Sequence, residues 1–197
     1  MMSIIVVCII SYLLGSIPNG LICGKGIWGV DLREHGSHNI GATNAWRTIG
    51  KSAGILIFAL DLLKGAISVY LGLHFGETAV AGILCGILAI VGHSWSLFLG
   101  FKGGKGVATG LGVILMLMPV VTLIVFAVWF IIVYITKYVS LGSIVAAALV
   151  PVLAFVMGLS MAHIIFGVAA AAFIIYRHKS NISRLLNGTE SKIKAKR

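Results

Sequence analysis

Apolar residues fill this chain in long runs, interrupted at a few places by short polar segments rich in glycine. The first run covers about 2–23 and contains Gly15, Pro18 and Gly20. It has neither a basic leading region nor a small-residue cleavage site, so it predicts a first membrane-spanning helix and not a secretory leader. A polar segment follows at 24–52, carrying Lys25, Arg33, Arg47 and Lys51. The next two runs, 53–73 and 78–97, predict two further spans joined by a loop that holds His74 and Glu77 but no Lys or Arg. A second glycine-rich interruption occupies 98–106.

The run 107–136 admits two readings. As one helix its 30 residues would extend about 45 Å, well beyond a hydrocarbon core of about 30 Å. Pro119 sits in its middle. A single span would also send the basic tail from Arg177 onward to the side opposite Arg33 and Arg47, and Lys137 with it. Two short spans, 107–118 and 120–136, avoid that, and 141–158 and 161–176 complete the set. The predicted fold is all-α: a polytopic membrane helical bundle of seven transmembrane helices in one domain, 1–197, with the N-terminus outside and the C-terminus cytoplasmic. All 15 Lys and Arg except Lys64 then fall on the cytoplasmic side.

Composition supports a lipid solvent. Of 197 residues 59% are hydrophobic and 10% charged, with a mean hydropathy of +1.10, whereas a soluble domain is about 25% charged. The net charge of +10 suits anionic headgroups or anionic substrates, and membrane embedding sets nucleic acid aside. Cys8, Cys23 and Cys85 lie in apolar runs without paired spacing and read as small core residues, and no metal site is expected. Gly20 with Gly24, Gly82 with Gly86 and Gly106 with Gly110 have the spacing that lets helices approach closely.

Chemistry gathers in three places, all on the predicted cytoplasmic side. The stretch 36–44, Gly-Ser-His-Asn-Ile-Gly-Ala-Thr-Asn, has no hydrophobic face. Its glycines let backbone N–H groups converge and its hydroxyls and carboxamides add donors, which suits an anion, and Arg47 three residues beyond makes phosphate the leading candidate. A plain turn-rich loop is the competing reading. In the second place, Lys102, Gly103, Gly104, Lys105 and Gly106 superficially resemble a nucleotide P-loop, but the spacing from Gly100 is one residue short and Gly106 stands where Ser or Thr would hold magnesium. What survives is a pliable backbone with two point charges beside a helix start at Val107. In the third, Ser140 and Ser143 open a helix, where both suit a capping role. His178 and Asn181 follow the last span, three apart on one face of a helical extension. Lys179, Lys192, Lys194, Lys196 and Arg197 suit headgroup anchoring. Within the second span, Asp61 and Lys64 share a helix face and predict a structural ion pair, with orientation of site residues as the alternative. His93 is read as interfacial hydrogen bonding or site support.

Taken together, Gly36-Ser37-x-Asn39-Ile40-Gly41-Ala42-Thr43-Asn44 with Arg47, then Gly92-His93 leading to Phe101-Lys102-Gly103-Gly104-Lys105-Gly106, then Ser143 and Arg177-His178-x-x-Asn181-x-x-Arg184-Leu185-x-x-Gly188-x-Glu190 resemble the three motifs of the bacterial acyl-phosphate:glycerol-3-phosphate acyltransferases, the PlsY family. The resemblance spans essentially the whole chain. It implies transfer of a fatty acyl group from acyl phosphate to the 1-position of glycerol 3-phosphate, giving lysophosphatidic acid at the cytoplasmic face of the inner membrane, in the first step of phospholipid synthesis. It also implies a catalytic set of Ser37, Arg47, Lys105, His178 and Asn181. Asn39, Gly41, Thr43, Asn44, Gly103, Gly104 and Ser143 would bind substrate, and Glu190 would support structure. No cofactor, no metal and no nucleic acid are implied, and the expected partners are the two substrates and membrane lipid around a monomer.

Two positions depart from the family pattern. His38 stands where glycine is usual, and Ser96 where proline is common, which predicts a looser entry to the glycine-rich loop. No histidine has an aspartate five residues on, so the His-x4-Asp motif of acyl-CoA-dependent glycerolipid acyltransferases is missing. The alternative from another class is a transporter or flippase for small phosphorylated anions, which would need polar groups toward the outer side. Acyl transfer requires a base, and the cytoplasmic segments offer only Asp31, Glu34 and Glu190 as carboxylates, none beside a motif serine. The expected mechanism is direct and substrate-assisted, with the donor's phosphate taking the proton and no acyl-enzyme.

Overall fold

The computed structural model describes residues 4–193. Met2 at the head of the predicted first helix, and Lys194, Lys196 and Arg197 among the predicted anchors, lie outside the described residues. The described elements are helical throughout: α1 (Ile4–Ser16), α2 (Asn19–Trp28), α3 (Ala42–Thr48), α4 (Lys51–Gly76), α5 (Ala79–Ser94), a 3-10 turn (Leu97–Leu99), α6 (Val107–Leu117), α7 (Pro119–Thr136), α8 (Val139–Val156), α9 (Met161–Arg177) and α10 (Lys179–Leu186). They group into two compact units that divide between Met116 and Leu117.

In the first unit, the predicted first span is two helices. Pro18 withholds an N–H and disfavours helix at Ile17, and α1 and α2 bend by 42° there. α2 runs on to Trp28 and ends in a left-handed Gly29, φ +66°, whose N–H returns to the carbonyls of Gly24 and Lys25. The segment 24–52 is therefore not one loop: it holds the end of α2, the whole of α3, and the start of α4 at Lys51. α4, 26 residues long and about 39 Å at helical rise, is the central post, packing on α1, α2, α3 and α5. Thr78 caps α5 by accepting the Ala81 N–H at 3.1 Å. Small residues set the close contacts. Gly65 of α4 lies on the Thr109 carbonyl of α6, Gly112 on that of Leu62, and Gly82 and Gly86 admit Leu73 and Val113. Val7, Ile57, Val69, Val113 and Cys85 are fully buried between these helices.

In the second unit, Pro119 starts α7 at its first turn, where its missing N–H costs nothing. The break expected between 118 and 120 is thus a helix start. α7, α9 and α10 all pack on α8, and Gly167 of α9 sits against the Pro151 backbone of α8. α9 and α10 meet at His178 with a bend of 61°.

Among the described residues, four helices are long and apolar enough to cross a membrane: α4, α7, α8 and the α5 segment continued to Leu99. The bent pairs α1–α2 and α9–α10 bring this to six if each is one span, and α6 is a shorter apolar helix of 11 residues. The chain is an all-helical membrane protein.

Candidate active site

The stretch 36–44 folds around one carboxamide. Asn44, 2% exposed, donates its Nδ2 hydrogens to the carbonyls of Leu32 (3.0 Å), His35 (3.0 Å) and Asn39 (2.9 Å), while its Oδ1 accepts the Ser37 N–H at 2.9 Å. Asn39 Oδ1 accepts the Gly41 N–H at 2.9 Å, a local turn leading into α3. The Asn44 carboxamide and the Asn39 Oδ1 thus bond the loop's own backbone, and Ser37 is exposed. Gly36 is required on two counts: its φ is +61°, and a Cβ there would strike Asn44 Oδ1.

His38 also has a left-handed backbone, φ +56°, which explains why glycine is the natural occupant. Its ring compensates by donating Nδ1–H to the Arg33 carbonyl at 2.9 Å. Farther back, Asp31 bridges Arg33 (2.7 Å) and Lys25 (2.9 Å). The Arg33 guanidinium, with Lys25, holds the Asp31 carboxyl well below the usual carboxylate range.

α3 follows directly, with Gly41 before it and Thr43 and Arg47 half-buried on it. Trp46 fills the notch above Gly54 of α4, and Ala45 is fully buried, so α3 is seated on the longest helix of the unit.

The second glycine-rich segment turns on His93. The N–H groups of Gly103 and Gly104 donate to the carbonyls of Ser94 (3.1 Å) and His93 (3.0 Å), and a Cβ on Gly104 would collide with His93 Nε2. The close approach these glycines permit is to the protein itself. Lys105 is half-buried beside them. Ser96 corrects the predicted loosening: it is buried, its φ of −66° is one a proline would share, and its hydroxyl donates to the Ser16 carbonyl at 2.6 Å, tying the loop entry to the end of α1.

The predicted Asp61–Lys64 pair is present and has company. Asp61 Oδ1 accepts from Lys64 Nζ at 2.9 Å and from Asn19 Nδ2 at 3.0 Å, and His93 Nδ1 lies 3.7 Å away. Asn19 escaped the sequence reading, although a carboxamide in the middle of an apolar run was its signal.

In the second unit the hub is Glu190. Its Oε1 accepts from Ser140 Oγ and Asn181 Nδ2, both at 2.7 Å, and its Oε2 from Arg184 Nε at 2.7 Å. Burial works to raise this carboxyl, but the Ser140, Asn181 and Arg184 bonds outweigh it and hold it below its ordinary value. Neither predicted cap serves α8. Ser140 is spent on Glu190, and Ser143 donates to the Val139 carbonyl at 2.9 Å while accepting from Trp129 Nε1 at 3.3 Å. His178 is buried at the bend, so the predicted continuous extension carrying His178 and Asn181 is broken at its first residue. Its Nδ1–H donates to the Ile174 carbonyl at 2.7 Å, which assigns the acceptor lone pair of the neutral ring to Nε2. Ile193 N–H donates to the Lys137 carbonyl at 2.8 Å, and Lys192 lies over the Tyr138 ring, so residues 192–193 are strapped to the start of α8.

Comparison with known proteins is in line with these motifs. A family model described as glycerol-3-phosphate acyltransferase matches residues 5–188. A glycerol-3-phosphate acyltransferase of Fusobacterium nucleatum subsp. nucleatum is 47% identical over 94% of this chain and 96% of its own length. One from Trichlorobacter lovleyi is 50% identical over 94% and 95%. Among solved structures, PlsY (YgiH), an integral membrane glycerol 3-phosphate acyltransferase, superposes in its glycerol 3-phosphate form with a TM-score of 0.93 at 43% identity, covering 98% of this chain and 96% of that one. Its lysophosphatidic acid form gives a TM-score of 0.90 at 41% identity, with the same coverage.

Proposed function

Because this chain belongs to the glycerol-3-phosphate acyltransferase family, we propose that it transfers a fatty acyl group from acyl phosphate to the 1-position of glycerol 3-phosphate, giving lysophosphatidic acid and inorganic phosphate. The observation that carries this reading is end-to-end similarity to a protein solved in both glycerol 3-phosphate and lysophosphatidic acid forms. The work is done at the cytoplasmic face of the bacterial inner membrane by a monomer that crosses it seven times, since that arrangement puts every Lys and Arg except Lys64 on one side.

Roles follow from chemistry. Ser37, Arg47 and Lys105 hold the donor phosphate, with Thr43 adding a hydroxyl. Asn44, Asn39 and Gly41 shape the loop that presents Ser37, and Gly103 and Gly104 set the course of the chain at Lys105. His178, Ser143 and Asn181 orient the acceptor so that its attacking hydroxyl faces the donor. The five carboxylates supply no base: Asp31, Asp61 and Glu190 are each tied to cations and other donors, and Glu34 and Glu77 are exposed. The glycerol oxygen therefore attacks the acyl carbonyl as its proton passes to the departing phosphate. The carbonyl–phosphate bond breaks as the ester forms, with no acyl-enzyme between.

The test uses purified protein in detergent, given both substrates with no membrane gradient. Lysophosphatidic acid is expected, and its absence would sink the reading. For the mechanism, labelled acyl phosphate alone is quenched in acid. No protein ester is expected, whereas a stoichiometric ester on Ser37 or Ser143 that glycerol 3-phosphate discharges would make the enzyme ping-pong.

A further inference from the structure

Between the two glycine-rich loops of the first unit lies a dehydrated polar node that the reaction does not use. Asp61 and Lys64 have side chains 4% exposed, and His93 is 5% exposed. Two donors, Lys64 Nζ and Asn19 Nδ2, converge on one oxygen, Asp61 Oδ1, with His93 Nδ1 at 3.7 Å. Lys64 Nζ also donates to the Ile17 carbonyl at the α1–α2 bend, at 2.9 Å.

Two of these groups, Asn19 and His93, are each one step from a loop. Next to Asn19, Gly20 is pressed so closely onto Ile40 that a Cβ would strike its carbonyl, and Ile40 is the buried apolar anchor of the stretch 36–44. On the other side, His93 accepts the Gly104 N–H through its carbonyl and fills with its ring the space a Gly104 Cβ would need. Ser96 makes a second tie to the same bend through the Ser16 carbonyl. Buried ion pairs are weak stabilisers beside well-packed apolar residues, so stability alone does not account for charges here. A pair needed only to neutralise Asp61 would be complete with Lys64.

We infer that Asp61 is a positioning residue: through Asn19 and His93 it fixes the seats of the 36–44 and 100–106 loops, and so the spacing of the groups that grip phosphate. The inference rests on the functional reading above, but it makes a geometric claim that can be read without turnover.

Two measurements test it. In a chain whose native cysteines are replaced by alanine, spin labels at His38→Cys and Lys102→Cys, both exposed positions, report the separation of the loops. The distance distribution should be narrow in the otherwise native chain and broadened or shifted in His93→Gln and in Asp61→Asn/Lys64→Met. The double change removes both charges, so no unpaired one remains. An unchanged distribution in both variants overturns the inference, whether or not acylation is detected. With unlabelled protein, Asp61→Asn/Lys64→Met should melt within a few degrees of wild type yet lose at least tenfold in kcat/KM, chiefly through a higher KM for glycerol 3-phosphate. Wild-type stability together with wild-type kcat/KM would overturn the inference. Should the double variant not fold, His93→Gln alone decides: a comparable rise in KM supports the node, and a wild-type KM overturns it. Loss of acylation in wild type itself would refute the functional reading and leave the distance measurement standing.

Discussion

Arg47 stands on a seven-residue helix locked to α4 by Trp46 and Ala45, so its backbone cannot drift to accommodate a shorter cation. A guanidinium grips phosphate with two parallel bonds, and an ammonium offers a point charge. Arg47→Lys should therefore cost about 2 kcal/mol of transition-state binding, roughly thirtyfold in kcat/KM, measured by steady-state kinetics. Near-wild-type turnover would remove Arg47 from phosphate contact. Glu190 is a different case, because its partners are protein groups. Replacing it with Gln forfeits the charge-assisted bond from Arg184 and sets an amide against the donors of Ser140 and Asn181, at about 2 kcal/mol of stability. The pH dependence has a definite sign. The native carboxyl sits below its unfolded value, so its contribution is complete above about pH 4.3 and fades as pH falls through the lowered native value. Glu190→Gln should thus melt well below wild type at neutral pH, with the gap closing in acid. A gap that widened in acid would contradict the hub.

At the scale of elements, one chemical change reports two environments. Gly104→Ala drives a methyl into the His93 ring, whereas Gly26, inside α2, has open space around it. Gly104→Ala should lose at least 2 kcal/mol or most activity, while Gly26→Ala should gain up to about 1 kcal/mol from helix propensity, both checked by thermal melting and turnover. The contrast also marks the limit of sequence reading. Apolar runs and charge asymmetry are local signals, and they located α4 to α9 within a few residues, including the division of 107–136 at Pro119. The bend at Ile17 has a local cause in Pro18, whereas the helix inside 24–52 and the turn at His178 depend on contacts with distant parts of the chain. Motif residues were legible by type, but their partners within the protein were not. Nothing in the local pattern says that Asn44 is consumed by its own loop, that Ser140 reaches 50 residues on to Glu190, or that Asn19 completes Asp61.

For the whole molecule the main expectation is sidedness. In a chain freed of Cys8, Cys23 and Cys85, Glu77→Cys and Leu159→Cys should react with an impermeant thiol reagent added outside intact cells, and Lys102→Cys only after permeabilisation. The reverse pattern would invert the topology. A last consequence concerns how such a molecule is made. Asp61 and Lys64 give α4 a partition penalty of about 5–7 kcal/mol if it meets lipid alone, only partly relieved by their mutual pairing. The groups that relieve the rest, the Ile17 carbonyl and the Asn19 amide, leave the ribosome more than 40 residues earlier. The kink at Pro18 is therefore a docking point prepared in advance for the nascent helix, and the order of synthesis supplies it when needed. A chain lacking residues 1–28 should leave α4 poorly inserted, read by a glycosylation tag placed after Gly76, and Asp61→Leu/Lys64→Leu should restore its entry.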